Sequence, residues 1–221
     1  GVVPVSWVVM PPVGGWPDCE YYADAPGGEF SSILEIRRIG VAVARMDFDV
    51  DIPAVAWGLF SGLPGELQTV PRGELYAIVM TVARLDWFCA VTFITDCLPV
   101  FNGISEHRTA GANADLWRHL WHRVDTKSIT LDARWIKAHL NLKPWLIDTM
   151  GFSWEDVCGN FAVDELAGRA GKKAAAPMNE VQHCITFPGV VQRIQRRLVA
   201  LVTELWENTD FTTPGVGRGR R

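Results

Sequence analysis

Short runs of β-branched and aromatic residues, bounded by Gly, Pro, Asn and Asp, predict five strands in the first two thirds of the chain. The most regular run, Ala90 to Thr95, has the composition of a buried strand and is followed by Asp96 and Pro99. A short loop between the second and third runs favours antiparallel pairing there. The five predicted strands span residues 19–23, 39–46, 54–60, 90–95 and 129–136.

Apolar residues that recur every three or four positions predict the helices. These helices cover residues 71–86, 112–124, about 160–174 and 190–206, with a short helix at 99–104. The pattern divides the chain into an irregular lead-in (1–18), a main domain (19–174), a linker (175–189), an amphipathic helix (190–207) and a basic flexible tail (208–221). We expect the amphipathic helix to dock on the domain or on a neighbouring domain.

Composition limits the possible functions of the chain, although it says little about the fold. The 221 residues carry a net charge of −4, whereas a protein that only coats nucleic acid is usually basic. An enzyme that gathers carboxylates around a metal has no such need. The five cysteines form no CxxC pair, and their odd number favours reduced thiols and an intracellular, nuclear or cytoplasmic location.

The ends of the chain point to a larger context. Residues 1–16 are apolar but broken by prolines and lack the charged region of a signal peptide, and no window elsewhere predicts a membrane span. The chain begins with Gly, so we expect a fragment of a longer polypeptide with neighbouring domains.

Acidic residues stand at four predicted element boundaries. Asp24 ends the first strand, Glu74 lies in the first turn of the first long helix, and Asp96 ends the fourth strand. Asp164 is expected in the first turns of the helix after the fifth strand, and His139 lies in the loop before it. Each acid alone is explained as a turn former or as a first-turn acid favoured by the helix dipole. Together they indicate a shared site.

This order of elements resembles ribonuclease H of type 1, a fold also found as a domain of retroelement reverse transcriptases. The resemblance covers about residues 19–174 and rests on YYADAPGG, LQTVPRGELYAI, VTFITDCLPVFNGI, WIKAH and GNFAVDELA. It implies an α/β ribonuclease H-like fold, with a mixed five-stranded sheet (three antiparallel strands, then two parallel) flanked by helices.

The resemblance also implies a catalytic site. Asp24, Glu74, Asp96 and Asp164 match the family's metal-binding carboxylates, and His139 matches a loop histidine that assists proton transfer or product release. The implied activity is metal-dependent cleavage of the RNA strand of an RNA–DNA hybrid. Two Mg²⁺ ions suit the chemistry and the hard oxygen ligands, and Mn²⁺ is compatible with them.

The segment before Glu74 is implied to contact nucleic acid through Gln68, Thr69 and Arg72, although Val70-Pro71 replace asparagines that some relatives carry there. The first carboxylate is followed by Ala25-Pro26 instead of Gly-Ser, and His139 stands 25 positions before Asp164, which expands that loop. These departures bear on substrate affinity more than on the metal site.

Two alternatives stay open at this point. A non-catalytic module of the same fold, which binds nucleic acid or has a structural role in a polyprotein, is compatible with the acidic charge. A DNA strand transferase of the wider ribonuclease H-like group fits the motifs around Glu74 and Asp164 less well.

Overall fold

A computed structural model describes residues 4–10, 16–138 and 145–208. Within these ranges the strands are β1 (Ser6–Val9), β2 (Cys19–Asp24), β3 (Gly40–Asp47), β4 (Ala54–Gly62), β5 (Ala90–Thr95) and β6 (Thr130–Trp135). The helices are α1 (Val70–Val82), α2 (Leu98–Ser105), α3 (Ala114–Lys127), α4 (Trp145–Met150), α5 (Trp154–Ala174) and α6 (Met178–Asn208). None of the helices in the described ranges combines the length and apolar character needed to cross a bilayer.

The strands form one mixed sheet in the order β1-β4-β3-β2-β5-β6. The pairs β1–β4, β3–β4 and β2–β3 are antiparallel, whereas β2–β5 and β5–β6 are parallel. The five predicted strands and the mixed sheet are therefore confirmed. The strand count is six because Ser6–Val9, predicted as irregular lead-in, pairs with the outer edge of β4.

Alternate side chains of the central strands fill two cores, one on each face of the sheet. Tyr21 and Phe93 pack with the apolar faces of α1 and α3, whereas Tyr22 and Ile94 pack with α5. Gly159 allows α5 to lie directly on the sheet, because a Cβ at this position would overlap the Tyr22 ring. Helices therefore cover β2 and β5 on both faces of the sheet.

The helix α5 begins earlier than predicted. The Ser153 side chain accepts a 3.0 Å hydrogen bond from the Asp156 backbone N–H, which caps the helix at residue 154 instead of about 160. Asp164 consequently lies in the middle of α5 and not in its first turns. The acids that do occupy the first turn are Glu155 and Asp156.

The C-terminal helix is also longer than predicted. It begins at Met178 and contains Pro188, so most of the segment predicted as a linker, residues 175–189, is helical. Pro188 removes one backbone hydrogen bond, but the helix continues through this position. The chain forms two compact units, Gly1–Ala176 and Pro177–Arg221.

Candidate metal centre

Three carboxylates meet at the carboxyl ends of β2 and β5. The two strands are parallel neighbours with Tyr22 opposite Ile94, so the following Asp24 and Asp96 reach the same edge of the sheet. The first turns of α1 bring Glu74 to this edge. One oxygen from each of the three residues lies within 4.8 Å of the others.

Burial and a shared backbone donor fix two of the carboxylates. Glu74 is fully buried and Asp24 is 6% exposed, while Asp96 is half-buried. The Ala25 backbone N–H donates to Oδ1 of Asp24 at 2.7 Å and to Oε1 of Glu74 at 3.1 Å. These two side chains therefore enter the site from different elements but are oriented by the same amide.

Thr95, which the sequence analysis did not single out, orients Glu74 and the turn that contains Asp96. Its buried hydroxyl donates to Oε2 of Glu74 at 3.1 Å and accepts from the Cys97 backbone N–H at 3.0 Å. The first bond holds Glu74, and the second closes the turn that carries Asp96. The sequence feature that could have pointed to Thr95 is a small polar residue at the end of a buried strand, next to Asp96.

The electrostatics of the cluster favour a bound proton or cation. Burial is the main cause that raises the pKa of Asp24 to about 8, and the charges of Asp96 and Asp164 raise it further. The pKa of Glu74 lies well above its usual range, first because of burial and then because of the charge of Asp24. Crowded carboxylate oxygens with negative neighbours form a donor set that fits a hard divalent cation such as Mg²⁺.

Asp164 borders this cluster without belonging to the group of three. It lies on α5, is half-buried, and its charge acts on the pKa of Asp24. It also lines a cavity of about 400 Å³ between α5 and the loop that contains Pro26 and Gly28. His139, the remaining predicted catalytic residue, lies outside the described residues.

The structure gives Gln68 a structural role that does not fit the predicted contact with nucleic acid. Its side chain is 7% exposed, and its amide nitrogen donates to the carbonyls of Leu63 at 2.9 Å and Gly65 at 2.7 Å. Its amide oxygen accepts from the Ile39 backbone N–H at 2.8 Å. These bonds tie the loop before α1 to the start of β3 and occupy the groups that a ligand would need.

Arg72 and Thr69 lie at the start of α1, near the carboxylates. Both terminal nitrogens of Arg72 donate to Asp115 in the first turn of α3, at 2.9 and 2.5 Å. This contact lowers the pKa of Asp115 to about 2. The Thr69 side chain makes no capping hydrogen bond to the helix.

Two known structures are partly similar to this chain. The N-terminal RNase H domain of a Mycobacterium tuberculosis protein is 12% identical, with a TM-score of 0.46 over 70% of this chain and 95% of that chain. The prototype foamy virus protease-reverse transcriptase is 16% identical, with a TM-score of 0.47 over 69% of this chain and 20% of that chain.

No family model matches the chain. Among curated proteins, the ribonuclease H of Verminephrobacter eiseniae is 32% identical over 130 residues, which are 53% of this chain and 78% of the relative. The ribonuclease H of Paracidovorax citrulli is 32% identical over 120 residues, 48% of this chain and 76% of the relative. Because this similarity extends over more than three quarters of each relative, the chain belongs to the ribonuclease H family.

Proposed function

We propose that the chain is a metal-dependent endonuclease that hydrolyses the RNA strand of RNA–DNA hybrids. The observation that carries the proposal is the convergence of Asp24, Glu74 and Asp96, whose oxygens lie within 4.8 Å of one another at the end of the central strands. Buried carboxylates this close repel one another unless a proton or a cation stands between them. Family membership supports a nuclease as the reason for this arrangement.

In this proposal the metal ligands are the carboxylates of Asp24, Glu74 and Asp96, assisted by Asp164. The metal is two Mg²⁺ ions or, alternatively, Mn²⁺. Bound divalent ions supply an activated water and stabilise negative charge on the phosphate. The protein's own contribution is to position the ligands: the Ala25 amide and the Thr95 hydroxyl hold Glu74 in place by hydrogen bonds.

Substrate would be held next to the carboxylates by residues at the start of α1. Arg72 is two positions before Glu74, and Thr69 has a side chain that is not used for helix capping. Arginine binds phosphate strongly through its planar fork of donors, and the 2′-hydroxyl groups of RNA distinguish it from DNA. We assign His139 to proton transfer or product release.

The wider context is part of the same proposal. A ribonuclease H domain of this kind would act inside a longer, retroelement-like polypeptide whose neighbouring domains help to bind the hybrid. The thiols of all five cysteines are free, which supports an intracellular setting, nuclear or cytoplasmic.

One observation favours the alternative of a binding or structural module without catalysis. Two of the three residues expected to touch nucleic acid are engaged within the protein, Gln68 with backbone groups and Arg72 with Asp115. A domain with such contacts would bind a hybrid weakly on its own. The intact carboxylate cluster is the reason that we place catalysis first.

A cleavage assay separates the two functions. A labelled RNA–DNA hybrid is incubated with the chain in Mg²⁺ or in chelator, and products are resolved on a gel. We expect Mg²⁺-dependent cleavage of the RNA strand, and its loss in Asp96→Asn, which removes a charge with almost no change in volume. Asp49→Asn, in the exposed β3–β4 turn, is the matched control and should cleave like wild type.

The failures of this assay are informative in different ways. Equal cleavage by Asp96→Asn and wild type would refute the metal-site assignment. Hybrid binding without cleavage would favour the non-catalytic module. Absence of both would direct the assay to the longer polypeptide.

A further inference from the structure

The helix α6 carries a heptad pattern that neither the fold nor the proposed function explains. Apolar residues recur along it with alternating spacings of three and four residues, which is the period of a coiled coil. We call these seven positions the apolar stripe of α6: Cys184, Phe187, Val191, Ile194, Leu198, Leu201 and Leu205. The surface opposite the stripe carries Arg193 and Arg196.

The stripe is open to solvent along its C-terminal half. The side chains of Ile194, Leu198 and Leu201 are 54%, 56% and 52% exposed. Large apolar side chains clustered on one face of a helix favour association, because burying each one removes apolar area from water. A face with this period is shaped for another helix instead of a flat surface or a small ligand.

Charges beside the stripe favour another copy of α6 as the second helix. In an antiparallel pair that sets Leu198 against Leu201 of the second copy, Ile194 meets Leu205 of the second copy. Arg197 then faces Glu204 of the second copy, and the two-fold axis repeats this pair. A parallel pair would instead place Arg197 beside the second copy's Val202 and leave its charge without a carboxylate.

We infer that the chain self-associates through an antiparallel two-helix coiled coil formed by residues 191–208 of two copies. These residues span about 27 Å of helix, enough for four apolar layers, two of which lie between the two Arg197–Glu204 contacts. Pro188 lies before the paired region and does not interrupt its hydrogen bonds. The inference is independent of the nuclease proposal because it uses no residue of the metal centre.

The association is tested on the full chain by light scattering after size exclusion, from about 1 to 100 μM. We expect a concentration-dependent dimer that Leu198→Asp converts to monomer over the whole range. Circular dichroism and thermal melting of the variant check that the fold is retained. A monomeric wild type at 100 μM overturns the inference, and so does a dimer that persists in Leu198→Asp.

Charge reversal tests the antiparallel register. Arg197→Glu should weaken the dimer at least about tenfold, because it creates two contacts between like charges. The double variant Arg197→Glu/Glu204→Arg should restore wild-type affinity. The control Arg196→Glu makes the same change in net charge on the opposite side of the helix and should have little effect. Equal effects of Arg196→Glu and Arg197→Glu, or failure of the double variant to restore affinity, would refute the antiparallel pairing.

Discussion

The hydroxyl of Thr95 donates a hydrogen bond of 3.1 Å to Oε2 of Glu74 inside a completely buried contact. This bond joins the end of β5 to the first turns of α1. The same hydroxyl accepts from the Cys97 amide, so a single side chain fixes both a proposed metal ligand and the turn that carries another, Asp96. Loss of a hydrogen bond to a ligand side chain typically lowers metal affinity by about 10- to 100-fold.

Replacing this hydroxyl should therefore weaken metal binding. We expect Thr95→Val, which keeps the side-chain volume, to reduce Mg²⁺ affinity by about 10- to 100-fold, measured by calorimetric titration and by the Mg²⁺ dependence of cleavage. Thr95→Ser, which keeps the hydroxyl, should stay close to wild type. Thr126→Val on α3 removes an exposed hydroxyl that bonds to the His122 carbonyl and serves as the control. Unchanged Mg²⁺ affinity in Thr95→Val would show that Thr95 does not position Glu74.

The raised pKa of Asp24 predicts how the metal-free protein responds to pH. This carboxyl holds its proton more strongly when folded, with a pKa of about 8 against an ordinary value of 3.8. Its contribution to stability is therefore fully present below the ordinary pKa and is lost as pH rises toward 8. In chelator, the melting temperature should fall between pH 5 and pH 8.

Two comparisons assign this pH dependence to the carboxylate cluster. Asp24→Asn should reduce the fall in melting temperature, whereas Asp49→Asn should leave it unchanged. Saturating Mg²⁺ should raise the melting temperature most at pH 8, because metal and proton compete for the same oxygens. A wild-type melting temperature that is constant or rising from pH 5 to pH 8 in chelator would contradict the prediction.

Gln68 should affect stability more than binding. Gln68→Ala leaves the Ile39 amide and two carbonyls without their partner inside the protein, so we expect a loss of about 2–4 kcal/mol in the free energy of unfolding. Urea denaturation measures this loss, with the exposed Gln192→Ala as control. Hybrid affinity, measured where the variant is fully folded, should not change. A variant with wild-type stability and weakened hybrid binding would restore the original prediction of a nucleic-acid contact.

Two glycines of α5 provide a matched test of helix packing. Gly159→Ala should cost about 1–3 kcal/mol because the added methyl group overlaps the Tyr22 ring. Gly168→Ala meets no atom within 4 Å and should be neutral or stabilise the protein by up to about 1 kcal/mol, as alanine favours helix. Equal unfolding free energies of the two variants would show that α5 does not pack closely on β2.

The sequence predicted those strands and helices that are encoded by short runs of neighbouring residues. The runs of β-branched and aromatic residues located the five strands β2 to β6, four of which contain buried residues. The edge strand β1 was missed because its four residues lie among prolines and depend on β4 for pairing. The start of α5 was misplaced because the Ser153 cap carries less weight in the sequence than the surrounding loop signals.

The residues of the candidate metal centre also differ in how far the local sequence reveals them. The acidic residues were recognisable from their positions at element boundaries, and three of them, Asp24, Glu74 and Asp96, do meet. The roles of Thr95 and Gln68 depend on hydrogen bonds between segments that are far apart in the chain. A local pattern contains no information about such partners, so the sequence can single out a polar residue without showing which groups it contacts.

The carboxylate cluster forms only when β2 and β5 pair in the correct parallel register. Asp24 and Asp96 are more than seventy residues apart in the chain and meet only when Tyr22 stands opposite Ile94. A slip of one residue would turn Asp96 to the opposite face and bring Thr95 or Cys97 to its position. Partly folded or misaligned chains therefore lack the carboxylate cluster. A divalent metal bound as we propose would favour the correctly aligned sheet during folding.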